Sequence, residues 1–264
     1  MRRAQATKTI VLFLFLSLPA HGQCKGGGCC GVSTTPADSA KAVLKNLQNK
    51  AADLDSYACR LDYTVRQPLL ESQQRRKGTL RYAKLDGQAY LRIDFRTLQQ
   101  DEEKEQPYRE EFFFDSVWLW HIDYITESAE RHQMTEPNKP IDPFVLASRH
   151  VPVLGFSKSE DLEKQFDVTL VRQDLGDEAP HTQLQLKTKP DSVYREDYTT
   201  VDFWIDKKLG LPTRVVAVTT EEDVHEIRLL APEINKVPDG RIRDIRVPEG
   251  FSLETVPLEK KVPQ

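Results

Sequence analysis

The stretch Phe112 to Asp123, Phe-Phe-Phe-Asp-Ser-Val-Trp-Leu-Trp-His-Ile-Asp, joins two apolar, aromatic-rich runs across a two-residue Asp115-Ser116 turn. Such runs, separated by turn residues, read as a β-hairpin. Charged Gln100 to Glu111 precedes the hairpin and polar Tyr124 to Lys139 follows it, so the aromatics form a discrete strand pair and not a transmembrane span. A hairpin this apolar needs more sheet around it, and the rest of the chain supplies it.

Tyr57, Cys59, Leu61, Tyr63 and Val65 alternate with Ala58, Arg60, Asp62, Thr64 and Arg66, the period of a half-buried strand. Asp86-Gly87 suits a tight primed turn between strands at 78–85 and 89–96. Further strands are predicted near 110–115, 117–124, 129–134, 166–173, 182–188, 198–206, 212–219, 223–230 and 241–246. The turns between most of them are too short for parallel crossovers, which predicts an antiparallel series. The acidic runs Asp101 to Glu105 and Glu221 to Asp223 fall at these turns and read as solvated. Cys59, inside a strand pattern, reads as a small buried hydrophobe.

Thr35-Pro36 opens a helix with Ala40, Val43, Leu44, Leu47, Ala51 and Leu54 on one stripe and Lys41, Lys45, Asn46 and Lys50 on the polar face. That stripe has to rest on the sheet. Asp142-Pro143 predicts a second helix through Phe144, Val145, Leu146, Ala147 and Ser148, ended by Val151-Pro152. A third short helix is predicted from Ser159 through Leu162 to Phe166. The fold class is therefore mainly β: a sheet of about ten strands rarely stays open and flat, so a closed barrel or half-barrel is expected, with helices as plug or lid over an apolar cavity.

Arg2, Arg3 and Lys8 precede the apolar Thr9 to Leu18, and Ala20-His21-Gly22 is a small-x-small cleavage site, so residues 1–22 read as an export signal. The apolar run is about half the ~20 residues that a membrane span needs. Without residues 1–22 the formal charge moves from -4 to about -7, which disfavours nucleic acid as a partner. Residues 23–35 form a Gly/Cys-rich leader in which Cys24, Cys29 and Cys30 leave three readings open: oxidised thiols, an acylated Cys24 despite Gln23 before it, or a soft-metal site. The remainder is the length of one β-rich domain.

No catalytic pattern emerges. His121, His132, His150, His181 and His225 fit no metal spacing, and the chain has neither a Gly-x-Ser-x-Gly elbow nor a phosphate loop. No cofactor is expected. Trp118 and Trp120 share a face of their strand, and Phe112 and Phe114 share one on the neighbouring strand; these aromatics are either core or the wall of a ligand cavity.

Several local motifs, in order, resemble the LolA-type periplasmic lipoprotein carriers of the wider LolA/LppX-like group. They are Lys77-Gly78-Thr79-Leu80-Arg81-Tyr82, Phe114 to Asp123 around the hairpin turn, Asp142-Pro143-Phe144-Val145-Leu146-Ala147, Trp204-Ile205-Asp206 through Gly210-Leu211-Pro212, and Pro248-Glu249-Gly250-Phe251. The resemblance spans residues 36–256, leaving 257–264 as a tail. It implies an incompletely closed antiparallel half-barrel of about eleven strands, with helices over an apolar cavity. It also implies binding of lipoprotein acyl chains, and exchange between an inner-membrane releasing complex and an outer-membrane receptor. On that pattern Phe144, Val145 and Leu146 belong to a lid, and Lys84 stands where the family keeps a gating arginine. Lys84 lacks the arginine's planar fork, and Asp115-Ser116 replaces the family's Asp-Gly, which marks a diverged member. The expectation is an exported, monomeric, non-enzymatic carrier of lipids or acyl chains. The alternative is an envelope sensor or partner-docking module on the same fold.

Overall fold

The computed structural model describes residues 36–143, 159–171 and 180–258. Helix α1 (Pro36–Ala52) is followed by the antiparallel strands β1 (Ser56–Gln67), β2 (Ser72–Leu85), β3 (Gln88–Gln100), β4 (Gln106–Phe114), β5 (Trp118–Asp123) and β6 (Ser128–Gln133). After the short α2 (Ser159–Gln165), the chain returns through β7 (Phe166–Val171), β8 (His181–Thr188), β9 (Tyr198–Asp206), β10 (Pro212–Thr219) and β11 (Val224–Ile234), and ends with β12 (Ser252–Val256).

All of these strands form one 12-stranded sheet in the order β12-β6-β5-β4-β3-β2-β1-β11-β10-β9-β8-β7. The outward run β1 to β6 and the returning run β7 to β11 are joined where β1 pairs with β11, from Tyr57 opposite Ile234 to Arg66 opposite Val224. Strands β12 and β7 lie at opposite margins and do not pair, so the sheet is an incomplete barrel, as the strand count predicted. A margin left unpaired exposes backbone groups, and β12 is short, which limits that exposure.

Two sequence expectations need correction. The strand predicted at 241–246 is a 3₁₀ turn over Gly240–Arg243, capped by the Asp239 side chain, which accepts from the Arg241 backbone N–H. Its alternation of Ile with Arg serves to bury Ile242 against β2 and β3, without any pairing. Nor is the series wholly antiparallel, because β12 pairs with β6 in parallel, Ser252 opposite Ser128 through Val256 opposite His132. A parallel neighbour needs a long connection, and residues 235–251 provide one.

The turns behave as their chemistry predicts. Asp86 and Gly87 both adopt positive φ, 53° and 79°, as a primed turn requires. At the aromatic hairpin Asp115 N–H donates to the Trp118 carbonyl, so the loop residues are Ser116 and Val117, one place later than predicted. The Asp115 carboxylate accepts from the Val117 and Trp118 N–H groups. Ser116 holds φ 73°, and its hydroxyl donates to the Ala89 carbonyl at 2.6 Å, an anchor that glycine lacks.

One sheet face carries the helix. Ala40, Leu44 and Leu47 of α1 are buried, whereas Lys41, Lys45 and Asn46 on the far side are exposed. They join one core with Leu184, Leu186, Val201, Phe203 and Val215 of β8 to β10, which are wholly shielded from solvent. Each such side chain contributes about 1.5–3 kcal/mol through burial. Cys59 lies in this core as a free thiol, its pKa pushed up to about 11 by burial.

Candidate functional site

On the helix face, α1 packs against β7, the buried core runs from β7 across to β4, and an aromatic row crosses from β1 toward β5. Directly opposed Cα partners share a face, which places Tyr63, Leu80, Ile93, Phe112 and His121 on this side. Tyr63 and Phe95 lie 6.2 Å apart between ring centroids, Phe95 and Phe112 meet edge to face at 6.4 Å, and His121 stacks on Phe112 at 4.5 Å. Tyr63, Ile93, Tyr108, Phe112, Leu119, Met134 and Ile141 are partly buried hydrophobics at the edge of the core.

A charged group sits within that row. Glu110, buried on β4, accepts from Arg76 Nη1 at 2.9 Å and lies 2.9 Å from His121 Nε2. The Arg76 guanidinium stands over the Phe95 and Tyr108 rings, and its Nε is buried with no hydrogen-bond partner among the described residues. Beyond it, the Tyr63 hydroxyl and His225 Nδ1 are 2.7 Å apart. Burial pushes Tyr63 up to about 12, with Arg76 opposing, and holds His225 below the usual imidazole value, with Asp223 opposing. Buried charge of this kind is expensive unless every partner is in place. A surface so built accepts an elongated apolar group with a polar end.

The four aromatics singled out by sequence do not line one wall. Phe112 and Phe114 face the helix side, with Phe114 in the core. Trp118 and Trp120 face away, since Trp120 opposes Phe113 across the hairpin. Phe144, Val145 and Leu146 lie outside the described residues. Just before them, the Tyr82 hydroxyl donates to Asp142 Oδ2 at 2.7 Å, tying the start of that segment to the helix face. Lys84 is exposed, and its Nζ donates to the Ala52 carbonyl at the end of α1, 3.1 Å away.

The opposite face holds features that the sequence reading missed. A depression of about 560 Å³ is lined by Tyr90, Phe113, Val117 and Trp118 with Arg243 and Asp244. Tyr90 stacks on Phe113, whose ring also lies beneath the Arg92 guanidinium. Further along, Arg214 and Arg228 donate to Glu226 at 2.8 and 2.7 Å, and Arg66 lies within 3.5 Å of the same carboxylate. Arg75 pairs with Asp62, and Arg81 and Arg96 with Asp94. The alternation of polar residues along each strand was the available signal, but only the register shows that they coincide.

Among the described residues, no three His, Cys, Asp or Glu side chains are grouped as metal ligands. No helix among them is long and apolar enough to cross a membrane.

No family model and no curated protein matches the chain. Solved structures similar to it include an uncharacterized conserved protein from Thermus thermophilus, 12% identical with a TM-score of 0.46, over 82% of this chain and 99% of that one. A chain of the Pseudomonas aeruginosa MucA/MucB complex is 13% identical with a TM-score of 0.43, over 78% of this chain and 61% of that one. A LolA superfamily protein from Nitrosomonas europaea is 11% identical with a TM-score of 0.36, over 78% of this chain and 97% of that one.

Proposed function

We propose that the protein is an exported, non-enzymatic binding protein for amphiphilic lipids or lipoprotein acyl chains, held along the aromatic row of the helix face. The observation that carries this reading is the row in which buried Phe95 is flanked by half-covered Tyr63, Phe112 and His121, continuing the core toward β5. Flat ring faces suit methylene chains, and the Arg76–Glu110–His121 group gives the strip a polar end. On this reading residues 1–22 direct export, 36–256 form the binding domain, and Phe144, Val145 and Leu146 contribute to its cover.

The second reading, an envelope sensor or docking module, is favoured by a different observation. Beneath α1 the space is filled by side chains, and the 560 Å³ depression lies on the other face with both charged and apolar lining. Mass spectrometry of ligand extracted from protein purified without detergent separates the two. The carrier reading expects a co-purifying acyl lipid in near-stoichiometric amount. Protein free of lipid that also fails to bind the neutral probe N-phenyl-1-naphthylamine contradicts it.

A further inference from the structure

The face of the sheet opposite α1 is basic although the chain is acidic overall, with a formal charge of -4. Glu226 is shared by three guanidiniums, Asp94 by two, and Asp62 and Glu111 are met by one each. Arg60 on the same face is exposed and makes no ion pair among the described residues. Even with Asp167, Asp202, Asp206, Glu105 and Glu233 counted on this side, cationic groups outnumber carboxylates. The carboxylates lie beneath and the guanidiniums above: Glu226 is almost wholly covered, whereas the Arg228 and Arg96 side chains are each 53% exposed. Each shared carboxylate therefore positions more than one planar, permanently charged donor set toward solvent, the arrangement that suits phosphate oxygens.

The tryptophans add a second observation. The chain has three, Trp118, Trp120 and Trp204, and register places all of them on this face. They stand at its two sides, on β5 and β9, with the arginine field on the strands between them. Arg131 covers the Trp118 and Trp120 rings at 5.0 and 5.3 Å, and Arg214 covers Trp204 at 4.3 Å. Leu230 and Leu253, also on this side, are exposed. Partly exposed indole rings beside arginines and isolated leucines match the boundary between lipid headgroups and acyl chains, where one part of a ring is wet and the other apolar. A dissolved anionic polymer would use the arginines and leave the leucines without a role.

We propose that this face docks the protein onto the anionic phosphate surface of a lipid bilayer. The proposal is independent of what the helix face binds. Coulomb attraction between the arginine field and lipid phosphates supplies the association, so it requires acidic lipid and is screened by salt. Indole rings at the margins then sit at headgroup depth.

The test is flotation of the full chain, purified after export, with phosphatidylcholine vesicles that contain or lack phosphatidylglycerol. Binding is expected only with phosphatidylglycerol and is lost at roughly 0.5 M salt, where the screening length falls to a few ångströms. The double variant R60E/R96E should weaken vesicle partitioning about tenfold or more. The variant K41E/K45E, which changes net charge equally on the far side of α1, should change it less than about twofold. Equal binding to both vesicle types, or equal loss in both variants, overturns the proposal. Binding to dextran sulfate without binding to phosphatidylglycerol vesicles also overturns it and assigns the face to an anionic polymer. Wild-type lipid and salt dependence keep the proposal falsifiable even if R60E/R96E fails to fold.

Discussion

Lys84 Nζ donates to the carbonyl of Ala52, so the strand-end lysine caps the C-terminus of α1. The backbone reinforces this, because Lys84 N–H donates to the Asp55 carbonyl at 2.8 Å. A cation here meets the negative end of the helix dipole, an exposed interaction of about 0.3–1 kcal/mol. Changing Lys84 to Leu should lower Tm by about 1–4 °C, as monitored by circular dichroism. A gating role adds a second expectation, that release of N-phenyl-1-naphthylamine from preloaded protein changes several-fold. Release at the wild-type rate with a lowered Tm leaves Lys84 as a helix cap alone.

Gly78 is the most closely approached of the described glycines. It sits at a bulge opposite Phe95, and a Cβ added there would lie 1.9 Å from the Asp94 carbonyl oxygen. Backbone cannot yield by that distance without breaking the β2–β3 ladder. Gly78→Ala should cost about 3 kcal/mol or more, read as a large loss in the urea midpoint. A midpoint within experimental error of wild type would show that β2 and β3 are further apart than described.

His225 predicts a direction for acid sensitivity. Burial holds its pKa below the usual imidazole value, so the unfolded chain binds a proton at pH values where the folded chain does not. Stability should therefore fall as the pH drops through about 6.5, and level off once the folded pKa is passed. Removing the imidazole in His225→Gln should flatten that part of the Tm–pH curve relative to wild type. Parallel curves for the two proteins would assign the acid limb to other groups.

Cys59 should be inert in the native state. It is buried on β1 and its thiol is pushed up to about 11, so little thiolate exists near neutral pH and no reagent reaches it. Maleimide labelling followed by peptide mass spectrometry should find Cys59 unmodified in native protein and modified after unfolding in urea. Rapid native labelling would contradict the burial of the β1 core face.

Much of this architecture was legible because period two is a local property. The alternation from Tyr57 to Val65, the Asp86-Gly87 turn and the stripe of α1 all appear where predicted. Pairing is not local. The 241–246 segment alternates like a strand, yet no partner edge reaches it, whereas β12 finds β6 in parallel. The aromatic hairpin carries the sharpest lesson. Across a two-residue loop, opposed residue numbers add to an odd sum, as for Phe112 with His121 and Phe113 with Trp120. Even-numbered residues on the two strands therefore face opposite sides, and Phe112 and Phe114 could never have shared a wall with Trp118 and Trp120. The arginine field was equally hidden, because its members come from many strands and meet only through register.

The central claim is that an acyl chain lies along the helix-face row, and residue-resolved photo-crosslinking tests it most directly. A fatty acid bearing a diazirine in its chain is bound to the detergent-free protein, irradiated, and its adducts are located by fragmentation of the proteolytic peptides that cover β1, β3 and the β4–β5 hairpin. Adducts are expected on Tyr63, Phe95, Phe112 or His121, which line one side of the sheet. Adducts confined to Tyr90, Phe113 and Trp118 would place the chain in the depression on the opposite face and contradict that claim.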